Sequence, residues 1–504
     1  IHRTGRADIV DRNSVLLASS LKTASLFANP RDILDADEAA AKLVSQLPDL
    51  NEARVRTKLK SGRGFVWIKR HLTPQQQYKV NRLGIPGLDF QTEERRLYPS
   101  GALTAHLLGH TDIDSRGIMG IENQFDAVLS GRQAPLRLSL DLRVQHAMRQ
   151  ELSRSMKEFR AVGAAGIVMD VRNGEVLSMV SLPDFDPNQP DQINDDARFN
   201  RATLGVYEMG STFKIFTTAM VLDSGKITLR GGYDATKPIE VSRFTIRDFH
   251  AKKRWLSVPE IFMYSSNIGS VKMVLAVGSQ VQRRFLSRIG MLAPSPVEIP
   301  EVGAPLVPSR WREINAMTIA FGHGLAVSPM QLVSGVSAMI NGGVLYRPTL
   351  IKRPDGEPII GKRVISEKTS EKVRRLLRLV VAHGTGRNAA AKGFLVGGKT
   401  GTAEKVVGRR YKTKALMSSF VGVFPMNAPR YVVFAMLDEP TGTKKTFGYA
   451  TGGWVAAPVV GSVIKRVGPM LGVRPMDEDA PEIRRKMAID IVTKKTGKRR
   501  LASF

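Results

Sequence analysis

The sequence predicts an α+β fold in which helices flank one antiparallel β-sheet, with an N-terminal module of mixed structure in front of it. Two strand patterns, at 164–171 and 175–181, stand before a long helical block, and three more stand after it. Strands divided in this way are expected to assemble into one sheet on which the helices pack. The 504 residues, 42% of them hydrophobic, are enough for two or three globular domains.

Residues 1–138 are predicted to form the N-terminal, non-catalytic module, which we call the pedestal. This region is polar and irregular, with Gly and Pro punctuation and only short apolar runs. Regular patterns begin at Ser139 and continue to about Pro475. We therefore place a second domain at 139–475.

The second domain opens with a helix and a hairpin. Residues 139–141 can cap the helix. Its apolar residues recur at i, i+4 and i+8 and are Val144, Met148 and Leu152. The first two strand patterns are joined by Arg-Asn-Gly at 172–174, and Asn-Gly is the strongest short hairpin signal.

The remainder of the chain alternates between helical and strand patterns. The block from about residue 200 to 380 is mainly helical, with Gly and Pro breaks. Strand patterns return at 394–404, 418–424 and 431–437, and the apolar segment 454–471 is predicted to be the closing helix. Residues 476–504 are expected to be a basic, mobile tail.

The charge balance favours an anionic partner. The chain has 75 Lys and Arg against 46 Asp and Glu, a net charge of +29. Such an excess suits a membrane surface or a charged polymer. No nucleic acid is expected, because no zinc-finger or RNP pattern occurs. The lack of cysteine excludes a disulfide scaffold and a zinc-thiolate site, and the sequence has no apolar run of about 18 residues that could span a membrane.

Ser211 and Lys214 form a Ser-x-x-Lys tetrapeptide at the start of a predicted helix. The spacing puts both side chains on one face, one turn apart. A serine hydroxyl is a poor nucleophile unless a base takes its proton, and a lysine whose pKa is lowered by burial or by another cation can be that base. At a helix start, the Ser211 N–H is also free to donate to an oxyanion.

This tetrapeptide alone is a weak signal and is more typical of an ordinary solvated helix face. The same spacing recurs at Ser19 and Lys22 and at Ser462 and Lys465. Further motifs must therefore decide whether Ser211 is catalytic.

A second motif, Ser265-Ser266-Asn267, is the only Ser-x-Asn in the sequence and follows an apolar run at 261–263. A hydroxyl and an amide on one short turn can pass a proton and hold a substrate carbonyl. The alternative interpretation is an ordinary cap or turn.

The third motif, Lys399-Thr400-Gly401-Thr402, ends a predicted strand that contains Gly397 and Gly398. Glycines in a strand often mark the close approach of a ligand or another backbone. A cation with two hydroxyls on a strand edge can seat a carboxylate. The second Lys-Thr-Gly, at 495–497, lies in the basic tail and is interpreted as chance.

The three motifs in this order resemble those of the penicilloyl-serine transferases, which include penicillin-binding proteins and β-lactamases. Ser-x-Asn follows Ser211 by 54 residues, and Lys-Thr-Gly-Thr follows Ser265 by 134. The resemblance implies a β-lactamase-like catalytic fold, in which an antiparallel sheet is flanked by helices. It also makes Ser211 the expected nucleophile.

The likeness extends along most of the chain and points to class B penicillin-binding proteins. Segments similar to the signatures of that class lie at 8–13, 96–99, 105–109 and 117–122. Each is interpreted as a packing contact or turn in a pedestal that is similar to the dimerisation domains of the class. Segments 66–70, 84–87 and 93–99 look like the division-specific, FtsI-type members, whereas 131–134 lacks a second glycine that such members often carry.

The resemblance implies peptidoglycan transpeptidation, with a role for each motif residue. Lys214 is the expected general base, Ser265 passes a proton to the leaving amine, and Asn267 holds the side-chain amide of the donor. Lys399 and Thr402 bind the terminal carboxylate, with Thr400 and Gly401 in the same motif. The N–H groups of Ser211 and Thr402 are expected to form the oxyanion hole.

The resemblance also implies the setting of the reaction. No cofactor or metal is expected. The implied partners are D-Ala-D-Ala stem peptides, lipid-linked precursors, β-lactams as covalent inhibitors, an FtsW-type glycan polymerase and other division proteins. The expected location is the periplasmic side of the bacterial inner membrane, with a single-pass anchor upstream of Ile1. The alternatives are an elongation-type transpeptidase, a β-lactamase or penicillin sensor, and a non-enzymatic scaffold.

Overall fold

The computed structural model describes residues 5–131, 134–241, 244–407, 410–491 and 500–502. The pedestal contains five strands: β1 (Ile9–Val10), β2 (Leu16–Ala28), β3 (Val66–Leu72), β4 (Leu88–Leu97) and β5 (Leu136–Arg137). Its six helices are α1 (Ala36–Gln46), α2 (Glu52–Leu59), α3 (Pro74–Asn81), α4 (Ala105–Leu108), α5 (Gly120–Gln124) and α6 (Asp126–Gly131).

The pedestal is organised around the long strand β2, which pairs with β1, β3 and β4. At one end, α1 to α3 pack on this sheet around Leu26, Leu43 and Ile68, all buried. At the other end, β1 pairs with β5, and Asp11 accepts a hydrogen bond from the Leu142 N–H at 3.1 Å. The segment 8–13 thus makes a packing contact between the two parts of the chain.

A buried ion-pair cluster in the pedestal connects α5 with β4 and with the segment before β1. The Glu122 carboxylate accepts from Arg6 Nε at 2.6 Å and from Arg96 Nε at 2.7 Å. The three side chains are between 0% and 3% exposed. Each of these buried charges is therefore stabilised by its oppositely charged partner and by the hydrogen bonds between them.

We expect Glu122→Ala to destabilise the protein by about 3–5 kcal/mol, because it leaves two buried guanidinium groups without their shared carboxylate. Urea unfolding followed by circular dichroism measures the change. The matched control is Asp49→Ala, which removes the partner of Lys69 in a pair whose carboxylate is 61% exposed. This control should lose no more than about 1 kcal/mol. An equal loss in both variants would contradict the expectation.

The second domain begins with α7 (Leu142–Glu158), β6 (Gly163–Asp170), β7 (Val176–Leu182), α8 (Asp195–Arg198), β8 (Tyr207–Glu208) and α9 (Lys214–Asp223). Next come β9 (Gly232–Asp234), β10 (Ile239–Val241), β11 (Phe244–Ile246), β12 (Trp255–Ser257), α10 (Val258–Met263), α11 (Asn267–Val277), α12 (Ser279–Arg288) and α13 (Glu313–Ile319). The first motif leads into α9, and the second motif lies between α10 and α11 and ends at the first residue of α11.

The chain continues with β13 (Ala326–Val327), α14 (Pro329–Ile340), β14 (Val344–Leu345), β15 (Lys362–Arg363) and α15 (Glu367–His383). The last elements are β16 (Gly397–Val407), β17 (Arg410–Phe424), β18 (Tyr431–Asp438), α16 (Ala456–Met470), α17 (Pro481–Met487), β19 (Ile489–Ile491) and β20 (Arg500–Ala502).

One five-stranded antiparallel sheet, in the order β16-β17-β18-β6-β7, organises this domain. The α+β prediction, with two strands before the helical block and three after it, is confirmed. Alternate residues of each strand face opposite sides. Val168 and Val433 pack in the cluster that includes α7 and α16, whereas Ile167 and Phe434 pack in the cluster that includes α9, α14 and α15.

Three details differ from the sequence predictions. The strand predicted at 394–404 begins three residues later than expected. Its first residue is Gly397, which is the first residue of β16 to pair with β17. The short strands β9 to β12 interrupt the helical block, and three residues each are too few for a period-2 pattern. The predicted mobile tail is wrong for residues 476–491, where Ile483, Met487 and Ile489 are buried against the domain core.

Among the described helices, none is long and apolar enough to cross a membrane.

Candidate active site

Ser211 lies on a short 3-10 helix, Gly210–Phe213, which leads directly into α9 at Lys214. Side chains at i and i+3 eclipse one another in a 3-10 helix, which favours placing Ser211 and Lys214 on the same side of this segment. The serine is half-buried and the lysine is 1% exposed. The serine lies in the 3-10 turn, and the α-helix begins at the lysine.

Close backbone packing fixes the nucleophile segment. Gly210 has a φ of +53°, and a Cβ atom on it would lie 2.5 Å from the Thr402 carbonyl oxygen. On the other side, the Gly210 N–H donates to the Gly322 carbonyl at 3.2 Å. Ser211 is therefore held between the edge strand β16 and the turn at Gly322.

The Lys214 amino group makes three hydrogen bonds with the second motif. Its Nζ lies 2.5 Å from the Ser265 carbonyl oxygen, 3.0 Å from Ser265 Oγ and 2.7 Å from Asn267 Oδ1. The carbonyl and amide oxygens can only accept, so they take two N–H groups. One further position on the nitrogen remains for the Ser265 hydroxyl. It holds a proton when the lysine is charged and a lone pair when the lysine is neutral.

The Ser265 hydroxyl connects the two lysines. Lys399 Nζ lies 2.9 Å from Ser265 Oγ, the same oxygen that contacts Lys214. If Lys399 donates, the Ser265 O–H is free to donate to a neutral Lys214. Ser265 itself has a φ of +59°, an uncommon conformation outside glycine, which the surrounding contacts must hold.

Asp248 supports the Ser265–Asn267 turn from outside. Its carboxylate accepts from Ser266 Oγ at 2.7 Å and from the Ile268 N–H at 3.0 Å. One residue earlier, the Arg247 carbonyl accepts from Asn267 Nδ2 at 2.9 Å. These contacts orient the Asn267 amide with its oxygen towards Lys214.

Strand β16 lies at the edge of the sheet and borders the site with its third motif. Lys399 is fully buried, and its Nζ is 3.3 Å from the Thr400 carbonyl oxygen. The Thr400 hydroxyl is 2.9 Å from the Thr385 hydroxyl, and Thr402 Oγ1 accepts from the Gly452 N–H at 3.0 Å. This edge can therefore present a cation and several hydroxyl protons to an anion.

Burial shifts the pKa values of both lysines downward. Desolvation, with a smaller effect from the positive charge of Lys399, lowers the pKa of Lys214 well below its usual value, and Asp248 only partly opposes the shift. Desolvation lowers the pKa of Lys399 to about 7. The neutral amine is therefore more favoured at both lysines than at a lysine exposed to solvent.

Taken together, the arrangement is suited to nucleophilic acyl transfer. A serine precedes by three residues a lysine whose pKa is depressed, and the Ser265 hydroxyl links that lysine to a second one. The first turn of a helix also leaves backbone N–H groups free to donate to an oxyanion.

The other copies of the motifs lie elsewhere. Ser19 and Lys22 are on the strand β2, where the spacing puts them on opposite sides of the sheet. Ser462 and Lys465 are on α16, where Lys465 is exposed to solvent. Both copies fit the structural interpretation. The copy at 495–497 lies outside the described residues.

Sequence reasoning missed several residues that shape the site. Asp248 and Gly322 carried no signal, because their contacts depend on folding between distant segments. Thr385 stands in a Gly-Thr-Gly at 384–386, which by itself gave no role to its hydroxyl. His323 was also missed, and burial together with the positive charge of Lys214 lowers its pKa to about 4.

Comparison with known domains gives two matches. The penicillin-binding protein transpeptidase domain matches residues 164–465, and the penicillin-binding protein dimerisation domain matches residues 2–142. The range 164–465 contains all three motifs, and the range 2–142 contains the described part of the pedestal.

Curated proteins are similar over nearly the whole chain. The probable peptidoglycan D,D-transpeptidase FtsI of Caulobacter vibrioides is 41% identical over 482 residues, which are 93% of this chain and 82% of that protein. The probable peptidoglycan D,D-transpeptidase PenA of Neisseria gonorrhoeae is 35% identical, with 93% and 85% covered. The peptidoglycan D,D-transpeptidase FtsI of Escherichia coli is 31% identical, with 94% and 84% covered.

Two solved structures share the fold. Penicillin-binding protein 3 of Mycobacterium tuberculosis, complexed with aztreonam, has a TM-score of 0.74 at 24% identity, with 94% of this chain and 98% of that chain covered. A peptidoglycan synthetase from Bifidobacterium adolescentis has a TM-score of 0.74 at 22% identity, with 94% and 97% covered.

Proposed function

Because this chain belongs to the class B penicillin-binding proteins of the FtsI type, we propose that it cross-links peptidoglycan during division through an acyl-enzyme on Ser211. The enzyme is a D,D-transpeptidase that acts on D-Ala-D-Ala stem peptides and is acylated by β-lactams. The observation that carries the residue assignment is the contact of Ser265 Oγ with both Lys214 and Lys399, at 3.0 and 2.9 Å.

In the first half-reaction, neutral Lys214 takes the proton of Ser211 as the hydroxyl oxygen attacks the penultimate D-alanine carbonyl. The new C–O bond forms a tetrahedral intermediate. Its C–N bond then breaks, and the terminal D-alanine leaves as an amine after Ser265 passes it a proton from the lysines. In the second half-reaction, an amine of a neighbouring stem attacks the ester carbonyl. The new amide C–N bond forms, the C–O bond to Ser211 breaks, and a proton from the amine passes through Lys214 to the Ser211 oxygen, which restores the hydroxyl.

Backbone N–H groups of Ser211 and Thr402 stabilise the negative oxygen of the intermediate. Each such donor is worth about 3–4 kcal/mol in comparable sites. The two segments must come close, and Gly401 permits this: a Cβ atom there would lie 2.7 Å from the Met209 carbonyl oxygen and 2.4 Å from Ser419 Oγ.

Charge and hydroxyl groups on β16 hold the terminal carboxylate of the donor. Lys399 supplies the cation, and the hydroxyls of Thr400 and Thr402 donate hydrogen bonds. Asn267 holds the side-chain amide of the donor through its amide group, which contacts with Lys214 and Arg247 orient. A bound carboxylate favours protonated Lys399, whose pKa in the free protein is about 7.

The physiological setting is proposed from the same family membership. The chain acts on the periplasmic side of the inner membrane, attached by a single-pass anchor before Ile1, beside an FtsW-type glycan polymerase. A pedestal at 1–138 that fixes the catalytic domain at 139–475 relative to that polymerase suits a reaction needing nascent strands nearby. The net charge of +29 suits the anionic strands and lipid-linked precursors.

Intact-mass spectrometry after exposure to penicillin tests the proposed chemistry. We expect one penicilloyl adduct per chain that persists for many minutes. A β-lactamase would instead turn the drug over and return to the unmodified mass. Depletion of the protein in its host tests the role: filaments without septa support division, whereas rounded cells that still divide would assign it to elongation.

A further inference from the structure

The loop between β11 and β12, residues 247–254, carries exposed aromatic and cationic side chains. Phe249 is 76% exposed, and its ring meets the His250 ring edge-on at 4.5 Å. Four of the eight residues are Lys or Arg, and Asp248 is the single acid. Phe249 therefore leaves most of its apolar surface in contact with solvent.

Hydrogen bonds attach this loop to the catalytic turn. The Arg247 carbonyl accepts from Asn267 Nδ2, and Asn267 Oδ1 accepts from Lys214 Nζ. At the other end of the loop, Lys252 Nζ lies 4.6 Å from the centre of the Tyr264 ring. The loop is thus two hydrogen bonds away from the proposed general base and borders the site at Asn267.

The positive charge of the loop is only partly neutralised within the protein. The Asp248 carboxylate is directed to Ser266 and to the backbone of α11, and Arg254 pairs with Glu260 at 2.6 Å. Arg247, Lys252 and Lys253 are exposed to solvent. A cationic rim of this kind attracts anions over about a Debye length.

We propose that loop 247–254 is a subsite for the donor strand on the acyl side of the reacting D-alanine. Its cations would bind the carboxylates of the acidic stem peptide, and Phe249 would pack against the apolar face of a sugar ring. This inference rests on the proposed function. With the terminal carboxylate at Lys399 and the donor amide at Asn267, the rest of the stem leaves the site past Asn267, where the loop lies.

Such a subsite would contribute to catalysis through remote binding. Contacts to parts of the substrate that do not react can hold the carbonyl over Ser211 and lower the barrier for long substrates alone. Penicillin lacks the strand and should gain little from the loop. Loss of the subsite should therefore slow the reaction with glycan strands more than the reaction with penicillin.

The test compares Phe249→Ala combined with Lys253→Glu against the unchanged protein. Two rates are measured for each: cross-linking of purified pentapeptide-bearing glycan strands, and acylation by a fluorescent penicillin. We expect the ratio of strand rate to penicillin rate to fall at least tenfold. The matched control combines Tyr78→Ala, on the pedestal, with Lys465→Glu, on α16; both side chains are exposed. The control should keep the ratio within twofold.

Two outcomes would overturn the subsite. An unchanged ratio with both rates retained would show that the strand does not use the loop. A parallel loss of both rates would show that the loop only supports the catalytic turn. Failure of the proposed function is a separate observation, since the unchanged protein would then not be acylated by penicillin at all.

Discussion

Ser211→Ala is expected to abolish covalent labelling by penicillin. The Ser211 hydroxyl supplies the oxygen that becomes the ester, and alanine offers no replacement atom. In a serine protease, loss of the nucleophile lowers the rate by about 10⁶-fold, which would put any adduct below detection here. Intact-mass spectrometry after prolonged exposure should therefore find only the unmodified chain.

The other two Ser-x-x-Lys serines provide matched controls. Ser462 lies on α16 with an exposed lysine three residues on, and Ser19 lies on the strand β2. Ser462→Ala and Ser19→Ala should both keep the full penicilloyl adduct. An adduct on Ser211→Ala, or its loss from either control, would assign the nucleophile to another residue.

The sheet could be predicted because its strands are buried and its turns have strong chemistry. Asn173-Gly174 identified the β6–β7 hairpin, and the apolar patterns of β17 and β18 followed from packing on both faces. The extension of β17 back to Arg410 could not be predicted, because residues 410–414 are mostly charged or polar and show no apolar pattern.

The tail shows how composition can mislead. Eight Lys or Arg among residues 477–504 suggested a solvated segment. Three apolar residues are nevertheless enough to hold α17 and β19 against the domain core: Ile483, Met487 and Ile489. Burial of each can contribute about 1.5–3 kcal/mol, so a short apolar pattern can outweigh a high local charge.

The residue types and order of the candidate site could be predicted from the sequence, but not the contacts between them. The motifs predict Ser211, Lys214, Ser265 and Lys399 as site residues. The Ser265 hydroxyl contacts both lysines, and Asp248 supports the turn that carries it. Both contacts depend on distant segments that folding brings together. The depressed pKa of Lys214 likewise follows from burial and from a second cation, which no local spacing specifies.

That network makes Lys214 the second decisive residue. Lys214→Ala should lower the rate of penicillin acylation by about 10²–10⁴-fold, the usual contribution of a general base. Lys214→Arg should lose as much, because an arginine keeps the charge and cannot give up its proton near neutral pH. Rapid-mixing fluorescence with a labelled penicillin measures both rates.

The pH dependence separates a base from a structural lysine. In the unchanged protein the acylation rate should rise with pH as Lys214 loses its proton, at a pH well below the ordinary lysine pKa. This rise of the acylation rate with pH should be absent from Lys214→Ala and Lys214→Arg. Lys226→Ala is the control, since Lys226 donates from an exposed position to the Ala276 carbonyl, and it should retain rate and profile. A Lys214→Arg variant that still acylates at the original rate would show that the charge of Lys214, and not its lone pair, drives the reaction.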